Sequence, residues 1–381
     1  MVFSRQKAEG RSREPPAGRR RWFRRHPRLA LLAANGLIAA LFVSLAEIGL
    51  RVWVPYNPGY YVVLREEPGV YTYPFGELRR NSLGFPDDEF DLASPKPRVG
   101  YFGDSVTRGV GAGHGYRIPD LLEPLRPDVE HWTFEVAVNG IDAKTHPRIL
   151  AIAEKFRLAE VVYMLNLNDL LPTRPPEQGG SKPSLRAVRQ RLKWLDGLRG
   201  RSYLYSALRF RFAELMLSLG YGHHGWKAAE LFPHENAKTV QQTAERITAL
   251  ARSVEAQGRR MSVIMLPYEM QISDEAARTY AELGVQWEPG FLERSTQAAI
   301  QQALPDDVRT IDAYWAFVDP ADEQGSRRAN GVGDYFVFNR GDKLDWNHPN
   351  RAGHVKIAEY LARLGKPEEL LAAPGASKSA R

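Results

Sequence analysis

The chain of 381 residues contains no cysteine. This absence excludes thiolate metal sites, disulfide bonds and a cysteine nucleophile. It assigns no compartment, because many exported bacterial proteins also lack cysteine. With 43% apolar and 25% charged residues, the composition is that of a globular protein with one large domain or two ordinary ones.

The chain beyond residue 28 has no net positive charge as a whole. The net charge of the chain is +7, but residues 1–28 hold ten Lys and Arg against two Glu, so they carry +8 and the remainder carries −1. A basic arm that binds nucleic acid and a cytoplasmic flank that obeys the positive-inside rule are both possible interpretations. The sequence that follows favours the flank, so no nucleic-acid partner is predicted.

Residues 29–54 form an apolar run with few interruptions, at Asn35, Gly36, Ser44, Glu47 and Arg51. A bilayer core needs about 20 apolar residues. The run therefore predicts a transmembrane anchor at 29–54, with a basic cytoplasmic tail at 1–28. The protein would be a single-pass protein of the cytoplasmic (inner) membrane, N-terminus inside, with its catalytic domain extracytoplasmic. The alternative is a cleaved signal peptide, because Ser44-Leu45-Ala46 resembles a cleavage site.

Beyond a predicted linker and lead-in at 55–97, short β-rich runs alternate with helical patterns, which is typical of a parallel α/β sheet. The predicted strands are Arg98–Gly103, Trp132–Val138, Glu160–Leu165, Met261–Leu266 and Val308–Ile311. Helical spacing predicts helices at 239–257 and 352–364 that cover the sheet. The pattern indicates an α/β domain at 98–371 with a flavodoxin-like, five-stranded sheet, followed by a disordered tail at 372–381.

Residues 172–238 do not fit this alternation and are interpreted as a helical insertion. An apolar stripe at helical spacing follows a Pro/Gly-rich start, at Leu204, Leu208, Phe212, Leu215 and Leu219. The basic charge of the insertion is compatible with a membrane surface or an anionic substrate. The simpler interpretation, which we favour, is a helical lid whose stripe packs on the domain.

Three predicted strand ends carry candidate catalytic groups. The first strand ends in Gly103-Asp104-Ser105, which places a serine where open parallel sheets bind ligands. Gly140 follows the second strand, where a backbone N–H can approach a reacting carbonyl without interference from a Cβ atom. Asn168 follows the third, and its amide can donate to an oxyanion. Each feature alone is also found in ordinary turns and helix caps.

Asp345-x-x-His348 lies just before the last predicted helix. This spacing lets Asp345 accept a hydrogen bond from Nδ1 of His348 and fix the tautomer whose Nε2 can take a serine proton. The same pair could be a helix cap or half of a metal site. A third metal ligand is not evident nearby, and the acidic run 87–89 is interpreted as a solvated turn. No metal and no cofactor are predicted.

Together these blocks resemble the SGNH, or GDSL-like, hydrolase superfamily over residues 98–365. The resemblance implies a three-layer α/β/α fold and an ester hydrolase in which Ser105 is the nucleophile. It also implies that His348 is the base and acid and that Asp345 orients the imidazole. The N–H groups of Ser105 and Gly140 and the amide of Asn168 would form the oxyanion hole.

The lead-in Asn81-x-x-Gly84-Phe85 beside an N-terminal anchor resembles a membrane-anchored bacterial branch of this superfamily, in which some members are related to exopolysaccharide O-acetylation enzymes. The chain departs from the usual pattern at three positions. Asn166 stands for a glycine, Pro86 for an arginine and Glu135 for an asparagine. The predicted nucleophile, base and oxyanion amide are unaffected.

Three functions are compatible with these residues. The first is a serine esterase that hydrolyses O-acyl esters of a lipid, a glycan or peptidoglycan through an acyl-enzyme. The second is an O-acyltransferase that gives the acyl group to a cell-envelope or exopolysaccharide glycan, and the third is a non-catalytic envelope scaffold. A complete triad with oxyanion donors favours the esterase.

Overall fold

The computed structural model describes residues 26–53, 63–136, 140–170, 195, 198, 202–218, 231–318, 330–338 and 345–364. The chain divides into two compact units. Residues 1–25 of the predicted basic tail and the tail at 372–381 lie outside the described residues, as do large parts of the insertion.

The first unit contains helix α1, Pro27–Trp53, together with the short segment Ser202–Leu204. Residues Pro27–Val52 are long and apolar enough to cross a membrane, with a mean hydropathy of 2.2 and none of the span buried. A signal sequence near the N-terminus passes the same test. Length and composition therefore agree with the predicted anchor and leave both interpretations of the segment in place.

Glu47 of α1 binds the segment Ser202–Leu204, which belongs to the same unit. Its carboxylate accepts hydrogen bonds from the backbone N–H groups of Tyr203 (2.9 Å) and Leu204 (2.8 Å) and from the Ser202 hydroxyl (3.0 Å). The first N–H groups of a helix lack partners within the helix, and a carboxylate satisfies them well. The contact gives a charge inside an apolar helix a structural partner.

The second unit is built on a five-stranded, fully parallel sheet. Its strands are β4 (Arg98–Gly103), β5 (Glu130–Glu135), β6 (Glu160–Leu165), β7 (Arg260–Met265) and β8 (Arg309–Asp312). They lie in the order β5-β4-β6-β7-β8. All five predicted strands are present, two of them with the predicted bounds. The predicted fold class is confirmed.

Helices cover both faces of the sheet. Among the described helices of this unit are α2 (Ser105–Arg108), α3 (Ile118–Leu125), α4 (Thr145–Lys155), α6 (Ala237–Ala256), α7 (Glu269–Ile272), α8 (Asp274–Glu282), α9 (Ser295–Ala303) and α10 (Arg351–Arg363). In β6, Val161 and Tyr163 belong to a core with α4, α6 and α9, whereas Val162 and Met164 belong to a second core with α3 and α10. Alternate side chains of one strand therefore supply two cores, which gives three layers.

The lead-in is more ordered than predicted. Strands β1 (Arg65–Glu67), β2 (Val70–Tyr73) and β3 (Gly76–Arg79) form a small antiparallel sheet within the stretch interpreted as a linker. Strands of three or four residues are too short to show a period of two in the sequence. The lead-in also packs on the domain, because the Phe90 ring stacks on Trp132 at 4.4 Å.

The interpretation of residues 87–89 as a solvated turn is wrong for Asp87. It is buried, binds the buried Arg117 guanidinium at 2.9 Å and accepts a hydrogen bond from the backbone N–H of Thr133 in β5. Asp120 binds the same guanidinium. This carboxylate ties the lead-in to α3 and to the sheet edge, whereas its neighbour Asp88 is exposed.

The described part of the insertion contains helix α5, Tyr203–Ser218, as its spacing predicts. Leu208, Phe212 and Leu215 are more than half exposed. The expectation that the stripe is buried against the domain is therefore wrong for these three side chains. Leu219 lies outside the described residues.

Candidate active site

Ser105 lies at the carboxyl end of β4, between β5 and β6 in the sheet, as the first residue of α2. Asp104 caps this helix, because its Oδ1 accepts a hydrogen bond from the Val106 N–H at 2.9 Å. Ser105 is partly exposed while Asp104 and Val106 are buried. The short turn thus presents one hydroxyl at the sheet edge where parallel sheets bind ligands.

The structure brings Ser105, His348 and Asp345 into one hydrogen-bonded line. The Ser105 Oγ lies 2.7 Å from His348 Nε2, and His348 Nδ1 lies 2.9 and 3.0 Å from the two carboxylate oxygens of Asp345. With Nδ1–H donating to Asp345, Nε2 is the acceptor for the serine proton. Asp345 and His348 are almost completely buried, so the accessible end of the line is the serine.

The loop that carries His348 is held from two sides. The His348 carbonyl accepts a hydrogen bond from the Val337 N–H at 2.9 Å, and the Asn350 N–H donates to the Tyr335 carbonyl at 2.9 Å. The Asn350 side chain accepts from the Gly353 N–H and caps α10. These backbone hydrogen bonds and the helix cap fix the position of the loop, and with it the position of the His348 imidazole.

A buried polar cluster lies behind the serine. Asn166 donates from Nδ2 to Asp104 at 3.4 Å, and its N–H donates to Asp169 at 3.3 Å. The Tyr163 hydroxyl donates to the same Asp169 carboxyl at 3.0 Å. Burial and the negative charge of Asp104 raise the pKa of Asp169 well above its ordinary value. The cluster joins the ends of β4 and β6, so Asn166 has a structural partner although it replaces the usual glycine.

Gly140 lies beside Asp169, and its N–H donates to Asp169 Oδ1 at 3.1 Å. A Cβ atom at Gly140 would lie 2.1 Å from the Asp169 carbonyl oxygen, and the φ of +80° is in the left-handed region. Glycine is therefore required here by both space and conformation. The oxyanion role of Gly140 stays a prediction, and it needs this N–H to turn from Asp169 toward a substrate oxygen.

Asn168 lies in the 3-10 turn Leu167–Asp169 that directly follows β6. Its Oδ1 is buried and has no hydrogen-bond partner in the described part of the chain. The residue stands at the strand end where the sequence places it. Its role as an oxyanion donor also stays a prediction.

Metal-binding clusters of three or more His, Asp or Glu side chains do not occur among the described residues. Asp345 is occupied by His348 and by the backbone N–H of Asn347, at 3.2 Å. The geometry is that of a hydrogen-bonded triad rather than half of a metal site.

A cavity of about 330 Å³ lies at the opposite, amino-terminal edge of the sheet and includes none of the triad residues. Its basic side chains include Arg260 and Arg309, which lie 3.4 and 3.6 Å from Glu160. These charges are compensated within the fold.

No protein-family model matches this chain, and no curated protein does. Among solved structures, the chain is similar to a protein described as lipolytic and of the G-D-S-L family from Desulfitobacterium hafniense DCB-2, at 11% identity and a TM-score of 0.35, covering 71% of this chain and 99% of that one. It is similar to a carbohydrate acetylesterase from Sinorhizobium meliloti at 12% identity and a TM-score of 0.32, covering 70% and 97%. It is also similar to an alpha/beta hydrolase enzyme from the metagenome of Lake Arreo, Spain, at 16% identity and a TM-score of 0.31, covering 72% and 96%.

Proposed function

We propose that this chain is a serine esterase of SGNH type that hydrolyses O-acyl esters. The proposal rests on two hydrogen bonds of His348. Ser105 Oγ lies 2.7 Å from His348 Nε2, and His348 Nδ1 lies 2.9 Å from Asp345 Oδ2. Distances of this size allow proton transfer between the hydroxyl and the imidazole. The sequence order and the strand-end positions of the blocks support the same assignment.

In the proposed reaction, Ser105 Oγ attacks the ester carbonyl carbon while its proton moves to His348 Nε2. The carbonyl oxygen becomes an oxyanion, for which the Asn168 amide and the N–H groups of Ser105 and Gly140 are the proposed donors. The ester C–O bond then breaks, and the leaving alcohol takes the proton from His348. Water attacks the acyl-enzyme and gives a proton to His348, which passes this proton to Ser105 Oγ as the bond between the acyl group and the serine breaks and the acid leaves.

We propose that this chemistry takes place outside the cytoplasm, next to the membrane. The support is the apolar helix α1 and the ten cationic residues within residues 1–28, of which nine precede the helix and Arg28 lies in its first turn. Cationic residues beside a spanning segment favour the cytoplasmic side. The substrate would then be an O-acyl ester of the cell envelope.

Turnover of a panel of acyl esters by the full-length protein tests the activity. Ser105→Ala and Asp345→Asn should each lower kcat by about 10⁴-fold while circular dichroism stays unchanged. Undiminished turnover in Ser105→Ala would contradict the proposal. Transfer of the acyl group to an added glycan exceeding its release into water would replace hydrolysis by acyl transfer.

A further inference from the structure

Glu269, at the start of α7, is a buried acid that contacts both segments around His348. Its side chain is 1% exposed. Its backbone N–H donates to the Trp346 carbonyl at 2.9 Å, and its Oε1 accepts from the Gly333 N–H at 2.5 Å. Trp346 lies between the two buried triad residues in sequence, and Gly333 belongs to the segment that pairs with the His348 loop. The glutamate is thus close to the triad without being part of it.

The Tyr280 hydroxyl of α8 connects this acid to the triad loop. It lies 2.7 Å from Glu269 Oε2 and 2.5 Å from the backbone carbonyl oxygen of Asp345. The Tyr280 ring is buried and packs edge-on against Trp346 at 6.0 Å. The hydroxyl is therefore fixed between two oxygen atoms and has little freedom to turn elsewhere.

Both contacts of the Tyr280 hydroxyl can be hydrogen bonds in only one protonation state of Glu269. A tyrosine hydroxyl has one proton to donate, a carbonyl oxygen can only accept, and an ionised carboxylate can only accept. If Glu269 is ionised, one of the two close oxygen pairs has no proton between its atoms. If Glu269 is protonated, its own O–H donates to Tyr280 and the Tyr280 O–H donates to Asp345, so both contacts are satisfied.

The surroundings of Glu269 favour the protonated state. Burial raises the pKa of Glu269 from 4.5 to about 7, and the hydrogen bonds from Gly333 and Tyr280 only partly oppose this. Among the described residues, the acidic side chains of Asp334, beside Gly333, and Glu275, in α8, raise the pKa of Glu269 further. Burial likewise raises the pKa of Tyr280, so the phenol stays neutral.

We propose that Glu269 is a positioning residue for the triad loop, which it holds through Tyr280 when protonated and releases when ionised. On ionisation the Tyr280 proton turns to the carboxylate, and the Asp345 carbonyl loses its donor. The inference rests on the proposed esterase function, because it concerns the placement of Asp345 and His348. It adds an alkaline limb to the pH dependence of the activity.

Glu269→Gln tests this directly, because a glutamine amide can donate to Tyr280 and accept from Gly333 at every pH. We measure kcat of the full-length protein against pH with 4-nitrophenyl acetate. The wild type should fall by about two- to tenfold above pH 7, the size expected for one lost hydrogen bond. The variant should keep its full kcat over that range. Glu288→Gln changes another buried glutamate, which binds the His234 N–H, and should retain the wild-type profile.

Tyr280→Phe gives a second test that does not depend on how well glutamine fits. Its kcat below pH 7 should fall to the wild-type alkaline level, without a further fall at higher pH. A wild-type alkaline limb retained in Glu269→Gln, or an unchanged kcat and pH profile in folded Tyr280→Phe, overturns the inference while leaving the esterase intact. Wild-type turnover that does not depend on Ser105 would instead overturn the proposed function.

Discussion

The hydrogen-bonded residues Ser105, His348 and Asp345 differ in their exposure to solvent. The Ser105 hydroxyl is partly exposed, whereas His348 and Asp345 lie in the interior. Burial protects the hydrogen bond between imidazole and carboxylate from competition with water, and the exposed hydroxyl can meet an ester. The loop bonds from Val337 and the chain through Tyr280 then limit how far the imidazole can move.

Gly140 gives a prediction at the residue scale, with Gly115 as its matched control. Both have a φ close to +80°, but a Cβ atom at Gly115 meets nothing within 4 Å, whereas at Gly140 it meets the Asp169 backbone at 2.1 Å. Gly115→Ala should cost about 1 kcal/mol of unfolding free energy. Gly140→Ala should cost clearly more and reduce kcat, because Asp169 and the 3-10 turn of Asn168 must shift.

Chemical denaturation and kcat of the two variants check this prediction. Equal losses in both would mean that backbone strain alone matters at Gly140. The contacts of His348 with Ser105 and Asp345 could be predicted from the sequence, because Asp345 and His348 are three residues apart and Ser105 follows a clear strand. The catalytic roles of these residues stay a prediction. The bond from Gly140 to Asp169 could not, because the turns after two different strands determine it.

At the scale of elements, the strands followed from runs of apolar residues, and a strand buried on both faces leaves that pattern in the sequence. The strands of the lead-in could not be predicted in this way, because β1 to β3 are short and largely exposed or half-exposed. The order of the lead-in comes from contacts with distant elements, such as Phe90 with Trp132 and Asp87 with Arg117. Such contacts have no local signature.

Asp87→Ala should therefore destabilise the α/β domain, although Asp87 lies outside the sheet. It removes a carboxylate from the buried Arg117 charge and leaves the Thr133 N–H without that acceptor, at a cost of about 3–5 kcal/mol. Asp88→Ala, at the exposed neighbouring position, should cost about 1 kcal/mol at most. Urea unfolding of both variants measures the difference, and similar midpoints would mean that the lead-in is a linker after all.

At the scale of the whole molecule, the distribution of charge predicts the topology. Ten cationic residues lie within residues 1–28, before α1 and in its first turn, and only Arg51 lies near its far end, so residues 1–28 should remain in the cytoplasm. Alkaline phosphatase fused to the C-terminus should be active, and a fluorescent protein that matures only in the cytoplasm should be dark there. The reverse pattern would rule out both the anchor and the signal-peptide interpretation.

The central claim is that Ser105 is a nucleophile activated by His348, and covalent labelling measures this most directly. A fluorophosphonate reacts with an activated serine and leaves a phosphonyl adduct that peptide mass spectrometry assigns to one residue. We predict an adduct on Ser105 in the wild type, none in folded Ser105→Ala, and much slower labelling in His348→Ala. Esterase activity that persists without an adduct on Ser105, or labelling that is independent of His348, would contradict the account.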